Sequence, residues 1–370
     1  MSYGTVQAEK MTTESGYSLG AGDATSFKNK LINGDMRVDQ RNAGASVSVP
    51  TATSQAFITD RWFVQNLGTN STTMTCQQST DAPAGYQYSL LVTNGTGVAT
   101  TSSDSRLLAQ YIEGLNIIDL AFGTASAKGI VVSFQVKSSL TGTFSGCILS
   151  NAGDQVYGFT FTISSANTWT PVAVSIPGST TGTWPTTNVA SMRLQLNLGS
   201  GSSSLQPTAN VWASSGGSRG VQGTVALSET TGATFRITAA QIEVGTVATS
   251  FDFRSYGTEL SLCQRYFFNN VGLNGQYDYF APGGCPNSSS GRFYKQYPIP
   301  MRVPPTFSYT GSGYIDGAAF TVALTLTTPY LTANGCRIDF TSAAVFSSGA
   351  SVFLAKDQGT AFAIAFSAEL

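Results

Sequence analysis

Histidine is absent from all 370 residues of this chain. Without an imidazole, no Ser-His-Asp or Cys-His catalytic arrangement can form, which removes most hydrolase mechanisms. The usual zinc patterns go with it. The five cysteines, Cys76, Cys147, Cys263, Cys285 and Cys336, are scattered and include no CxxC pair. An odd, dispersed set in a cytoplasmic product is expected to be reduced, buried thiols rather than a disulfide framework. Charge is scarce as well: charged residues make up 11% of the chain, with a net charge of −1, against roughly 25% in an average soluble domain. That balance offers no basic field to nucleic acid and none to an anionic membrane. No apolar run approaches the ~20 residues of a membrane span, so no membrane insertion is expected. The opening MSYGTVQAEK lacks the apolar core of a secretion signal. No phosphate-cradling loop followed by Lys and Ser/Thr is present, so nucleotide chemistry has no support and no cofactor or metal is expected.

What is abundant is glycine, at 39 residues, with serine and threonine throughout. Short apolar-polar alternations separated by turn residues run from Thr72 to Val244. They predict strands over Tyr88–Thr93, Leu107–Ile112, Ile130–Val136, Gly146–Leu149, Gly158–Ile163, Thr170–Ile176, Ser191–Leu198 and Thr234–Val244. SMRLQLNL and VVSFQVK have the pattern of strands with one wet face. Strands at this spacing with no helices between them indicate an all-β antiparallel sandwich or jelly roll. No internal repeat is present to suggest a stacked-rung β-helix.

The chain is organised around Gln241 to Phe268, QIEVGTVATSFDFRSYGTELSLCQRYFF. Phe235 to Val244 alternates as a half-buried strand, and Gly245 ends it. Ser255 or Thr258 can cap a short helix whose Leu260, Leu262, Cys263, Tyr266 and Phe267 recur at helical spacing. A strand end, a bridge and a helix mark a boundary between two β domains.

This run, from Gln241 through Tyr266, resembles the end of a β-sandwich module in tail-fibre and other virion appendage proteins of bacteriophages and prophages, of the type Q(I/L)E.G..AT.F..RSYG.EL..CQRY. The module's other signature, an NLLINGDM-type opening closed by D-R-W, has its counterpart in Asn29 to Trp62, NKLINGDM…TDRW. The P.MR..PT element at Pro300 to Thr306 and the terminal Ala-Glu-Leu are similar to the family's distal domains. The resemblance implies a carbohydrate-binding-module-like jelly roll, a homotrimer, and localisation to the virion, as a tail or capsid appendage made in the host cytoplasm. It identifies particle proteins and not a reaction.

The expected organisation is a virion-docking leader at 1–28, a jelly-roll β-sandwich at 29–254, a helical hinge at 255–269 and a distal β domain at 270–370. In the leader, Val6, Met11, Tyr17 and Leu19 are isolated apolar residues that cannot bury enough area to order the segment alone. It is either a disordered leader or a docking peptide. The resemblance favours docking to other virion proteins. Asp60 and Arg61, beside Trp62, are expected to be a structural pair at a sandwich edge rather than a catalytic one, with Trp62 in the core.

Candidate functional residues are aromatic. Tyr277, Asp278, Tyr279, Arg292 and Tyr294 interleave aromatic rings with charged groups. A glycan site requires that mixture: flat faces for sugar rings and hydrogen-bonding groups for hydroxyls. The alternative is that individual tyrosines line a trimer interior or the domain core. Trp212, in the Gly/Ser-rich stretch Leu198 to Thr224, either anchors that loop or stacks on sugar, and the resemblance to an Asn-x-Trp turn implies an anchor. Trp184 is expected to be the more exposed candidate, and Trp169 a core residue. Glycoside cleavage needs two carboxylates across a cleft. Asp278, Asp316 and Asp339 show no spacing that makes any two of them partners. The expected function is therefore adhesion to host surface polysaccharide without enzymatic activity. Alternatives are a purely structural head or tail protein, and a polysaccharide depolymerase.

Overall fold

A computed structural model describes residues 10–12, 18–20, 27–214, 218–272, 276–311, 313–316, 325–341, 346–356 and 361–370. The chain divides into two compact units, 1–259 and 260–369. Near the N-terminus, β1 (Lys10–Thr12) and β2 (Ser18–Gly20) pair antiparallel with Met11 opposite Leu19. Val6 and Tyr17 lie outside the described residues.

The first unit continues with β3 (Val47–Pro50), β4 (Thr53–Thr59), β5 (Trp62–Leu67), β6 (Thr73–Ser79), β7 (Ser89–Asn94) and β8 (Ser105–Glu113). There follow β9 (Ile130–Ser138), β10 (Gly142–Ser150), β11 (Val156–Ile163), β12 (Thr170–Ile176) and β13 (Ala190–Asn197). Three two-residue strands, β14 (Leu205–Gln206), β15 (Trp212–Ala213) and β16 (Gly220–Val221), precede the long β17 (Thr234–Val244). β14 and β16 pair in parallel as a small separate sheet, and the other strands from β3 to β17 form two large sheets, in the orders β15-β11-β10-β13-β8-β5-β4 and β12-β9-β17-β7-β6-β3. All pairs in both are antiparallel. Alternation places Trp62, Leu108, Phe144, Phe159 and Leu194 of the first sheet in one core with Val92, Val132, Phe134, Phe235 and Ile242 of the second. This is the expected β-sandwich, and Trp62 is a fully buried part of it.

The two signature stretches meet in this unit, more than 200 residues apart in sequence. Lys30 N donates to Ile242 O at 2.8 Å. The Asn29 side chain donates to Ala240 O and accepts from Ile242 N, both at 3.0 Å. Arg254 donates to the carbonyls of Asn29 and Leu31 and pairs with Asp252 and Glu259. Glu259 in turn accepts from Asn33 N. Gln241 Oε1 takes Asp252 N at 2.9 Å, and Glu243 takes Thr249 N at 2.8 Å. Asn29, Gln241, Glu243, Asp252, Arg254 and Glu259 are buried in this network, which closes the sandwich where the chain enters and leaves it. The stretches Asn29–Trp62 and Gln241–Tyr266 thus meet in a structural clasp.

Ser255 Oγ accepts from Thr258 N at 3.4 Å at the start of α1 (Tyr256–Gln264). The boundary between the units falls within this helix. Cys263, Tyr266 and Phe267 are buried as expected, whereas Leu260 and Leu262 are half-buried, and Glu259 is buried on the same helix. The second unit holds β18 (Phe267–Val271), β19 (Asp278–Gly284), β20 (Ser290–Gln296), β21 (Thr306–Gly311) and β22 (Tyr314–Asp316). It ends with β23 (Thr325–Leu331), β24 (Gly335–Thr341), β25 (Ser351–Lys356) and β26 (Phe362–Ser367). The sequence also predicts a short strand over Phe320–Leu326, part of which lies outside the described residues. The sheets run β18-β26-β21 and β22-β25-β19-β20-β24-β23. Phe268, Ile364 and Phe366 from the first pack with Phe293, Ile338, Phe340 and Leu354 from the second.

Candidate functional site

In β20 the residues alternate: Gly291 and Phe293 are buried, while Arg292, Tyr294 and Gln296 point out. Directly paired residues share a sheet face, and the register extends this outer surface across five neighbours. Tyr294 lies opposite Arg337 of β24, which lies opposite Tyr330 of β23. Arg292 lies opposite both Gly284 of β19 and Asp339 of β24. Two residues before Gly284, Pro282 pairs with Phe353 of β25, which pairs with Asp316 of β22.

Four aromatic rings stand out on this face: Tyr279 at 59% exposure, Tyr294 at 54%, Tyr330 at 67% and Phe353 at 44%. Two of them, Tyr279 and Tyr330, are held by charged neighbours. Tyr279 Oη donates to Asp316 at 2.7 Å, and its ring meets Phe353 edge-on with centroids 5.6 Å apart. The Arg337 guanidinium lies 3.9 Å from the Tyr330 ring centroid and donates to Asp339 at 2.8 Å. Arg292 is exposed and engages no carboxylate among the described residues.

β19 and β20 pair at only two positions, Gly283↔Phe293 and Gly284↔Arg292. Beyond them the strands part and open a shallow groove of about 630 Å³ lined by Phe280, Pro282, Tyr294, Lys295, Gln296 and Gly335. Lys295 crosses the gap, donating to Phe280 O at 2.9 Å, and desolvation holds its ammonium below the usual lysine range.

Of the residues singled out from sequence, Tyr279, Arg292 and Tyr294 share this face. Tyr277 is exposed just before β19, and Asp278 is half-buried opposite Lys356 of β25. Tyr330, Arg337 and Phe353 complete the surface and escaped sequence reasoning. Their signal was the exposed phase of alternation in late strands.

The tryptophans need correction. Trp184 is only 8% exposed: its Nε1 donates to Thr181 O at 3.0 Å and its ring abuts Phe122 and Trp212. Packing its large apolar face against these rings outweighs the polar character of its Thr/Gly loop. Trp169 is half-exposed, not core. It sits at the edge strand with its Nε1 on Asp81 at 3.3 Å and Lys137 near its ring. Trp212 anchors its loop, donating to Pro177 O at 2.8 Å while packing edge-on against Tyr157 and Phe122. Asp60 and Arg61 are buried in structural roles: Asp60 accepts from Gln40, and Arg61 donates to Tyr111 O. All five cysteines are buried thiols.

The sandwich carries a separate concavity of about 340 Å³ on the outer side of its six-stranded sheet, floored by Ser133, Gln135 and Ala173. Tyr86 and Phe251 line it, and Phe253 stacks on Tyr86 with centroids 5.2 Å apart.

No family's sequence profile matches this chain, and no curated protein does. Among solved structures, a candidate sugar binding protein from Bacteroides thetaiotaomicron is 14% identical over 59% of this chain and 100% of its own, with a TM-score of 0.35. The enzymatically active domain of tailspike protein 4 from bacteriophage CBA120 is 13% identical over 61% of this chain and 23% of its own, with a TM-score of 0.33. A family 11 carbohydrate-binding module from Clostridium thermocellum is 12% identical over 53% of this chain and 98% of its own, with a TM-score of 0.27. At such scores the fold rests on the strand register and core described above.

Proposed function

We propose that this chain is an appendage protein of a phage particle that adheres to host surface polysaccharide through the outer face of its distal six-stranded sheet. One observation carries the adhesive reading. Tyr279, Tyr294, Tyr330 and Phe353 stand exposed on a single face, interleaved with Arg292, Arg337, Asp316 and Asp339. Rings gathered on one exposed sheet face form a patch of the kind that marks an interaction surface. Rings held by side-chain contacts suit sugar faces, and the charged groups between them suit sugar hydroxyls. Asp316 and Asp339 are engaged with Tyr279 and Arg337, which supports binding rather than cleavage.

The assignment to a phage virion rests on the resemblance of Asn29–Trp62 and Gln241–Tyr266 to virion appendage modules. On that reading the N-terminal segment docks to other virion proteins and the chain forms a homotrimer. Weak single-site contacts are then multiplied across copies.

The test is binding of full-length protein to bacterial cells and to panels of their surface polysaccharides, beside Tyr279→Ala and Tyr294→Ala. Saturable binding weakened by both substitutions, with oligomeric state unchanged, supports the distal face. Binding that ignores them removes this face as the site. An intact oligomer that binds no cells leaves a structural appendage, and one that falls apart in the tyrosine variants makes the face an interface between copies.

A further inference from the structure

The concavity on the outer face of the six-stranded sheet has no part in the adhesive reading. On β9, Val132, Phe134 and Val136 enter the core, so Ser133 and Gln135 face out. β12 buries Val172 and exposes Pro171 and Ala173, with Ala173 opposite Ser133 and Pro171 opposite Gln135. On the other side of β9, pairing with β17 skips between Thr238 and Gln241, and the short side chain of Ala239 comes to the lining. Ala173, Ala239 and Ala248 leave room for a hollow of about 340 Å³, within the ~300–1,000 Å³ of ligand clefts.

Aromatic rings wall this hollow, and their positions are fixed. Phe251 lies between Thr249, whose N and Oγ1 both donate to Glu243 at 2.8 and 2.6 Å, and Asp252, whose N donates to Gln241 Oε1 at 2.9 Å. Tyr86 meets Phe251 edge-on with centroids 5.7 Å apart. Phe253 packs on both, 5.2 Å from Tyr86 and 4.9 Å from Phe251.

The chemistry of the lining narrows the ligand. No charged residue lines the hollow among the described residues. Two residues beyond Gln135, Lys137 pairs with Asp81 at 2.9 Å, as does Arg236 opposite it at 3.2 Å. An anion therefore finds no charge in the hollow to pair with. At the floor, Ser133 and Gln135 are half-buried, and their side chains make no hydrogen bond among the described residues. A wholly apolar ligand would cover these groups without satisfying them. The match is an uncharged molecule with an apolar face for the rings and hydroxyls for the floor, as a saccharide ring presents.

We propose that this concavity is a second binding site, on the sandwich, for an uncharged saccharide unit. Its ring face rests on Phe251 and Tyr86, and its hydroxyls bond to Ser133 and Gln135. The site shares no residue with the distal face and does not depend on adhesion there.

Saturation-transfer NMR titration of full-length protein tests this with the methyl glycosides of glucose, galactose, mannose and N-acetylglucosamine. Phenol is the apolar control and N-acetylprolinamide the peptide control. Saturable transfer to at least one glycoside is expected. Ser133→Ala and Gln135→Ala should each weaken it about two- to tenfold, the worth of a neutral hydrogen bond. Neither should disturb the fold, since neither side chain bonds within the protein. Ala173→Phe, at an exposed strand position, should fill the hollow and abolish binding. Absence of binding by all four glycosides overturns the site, whatever the two controls do. Binding that survives both Gln135→Ala and Ala173→Phe overturns it as well. Tyr279→Ala and Tyr294→Ala should leave the titration unchanged. Loss of binding in those variants would assign the glycoside to the distal face and overturn the site on the sandwich.

Discussion

Ala240 N donates to Gly34 O at 2.9 Å, and Ala240 O lies 2.1 Å from where a β-carbon on Gly34 would stand. Gly34 is therefore glycine because a backbone carbonyl occupies the space of a side chain. The approach depends on a bulge in β17, where pairing with β9 skips between Thr238 and Gln241 and Ala239 takes a positive φ of 54°. Gly34→Ala should push the two signature stretches apart and destabilise the sandwich by about 2 kcal/mol or more, as overpacking does. Urea unfolding measures it. A midpoint equal to the parent would mean that the contact yields freely.

Trp212 should behave as an anchor and not as a sugar platform. Trp212→Ala removes a ring packed against Tyr157, Phe122 and Trp184 and a bond to Pro177 O. Trp212 is only partly buried, so a loss of about 2 kcal/mol is expected, below the range for truncating a fully buried tryptophan. Binding to polysaccharide per folded molecule should stay the same. Proteolysis between β14 and β16 should quicken, because β15 no longer fixes that loop to β11.

Legibility followed the range of the interactions. Strands β12 and β17 begin and end where the sequence pattern places them, since a period of two is written in adjacent residues. Two-residue strands such as β14 and β16 carry no period, so the stretch around them read as a loop. The clasp was visible as a motif but not as a mechanism: Asn29 meets Asp252 and Ile242, partners no local pattern can name. At the distal face, Tyr279, Arg292 and Tyr294 fell within one short window, whereas Tyr330 and Phe353 joined only through strand pairing. Trp184 misled because local polarity said nothing of Phe122, far off in sequence.

Asp60 gives the sandwich a pH dependence of unusual sign for a carboxylate. Burial pushes its pKa up to about 7, against the opposing hydrogen bond from Gln40 and the charge of Arg41. In the unfolded chain the group titrates near ~3.9. Between these values the folded state holds a proton that the unfolded state releases. The contribution is complete below about pH 4 and is lost as pH rises through about 7. Asp60→Asn removes this term. Between pH 5.5 and pH 8 the parent should therefore lose more melting temperature than the variant, by roughly 2–4 °C per kcal/mol in a domain of this size. Parallel curves would mean that Asp60 is ionised throughout.

Tyr330 offers the most discriminating test of the distal face, because it was not among the residues singled out from sequence. Its ring is 67% exposed and touches chiefly the Arg337 guanidinium. Tyr330→Ala should therefore change stability by less than about 0.5 kcal/mol, as an exposed surface substitution does. If sugar stacks on this ring, the same change should weaken polysaccharide binding by about fivefold, in line with roughly 1 kcal/mol for an aromatic contact. Tyr330→Phe keeps the flat face and should bind nearly as the parent does. Equal loss in the phenylalanine and alanine variants would instead assign the effect to the hydroxyl, and no loss in either would confine the site to the Tyr279 and Tyr294 side of the sheet.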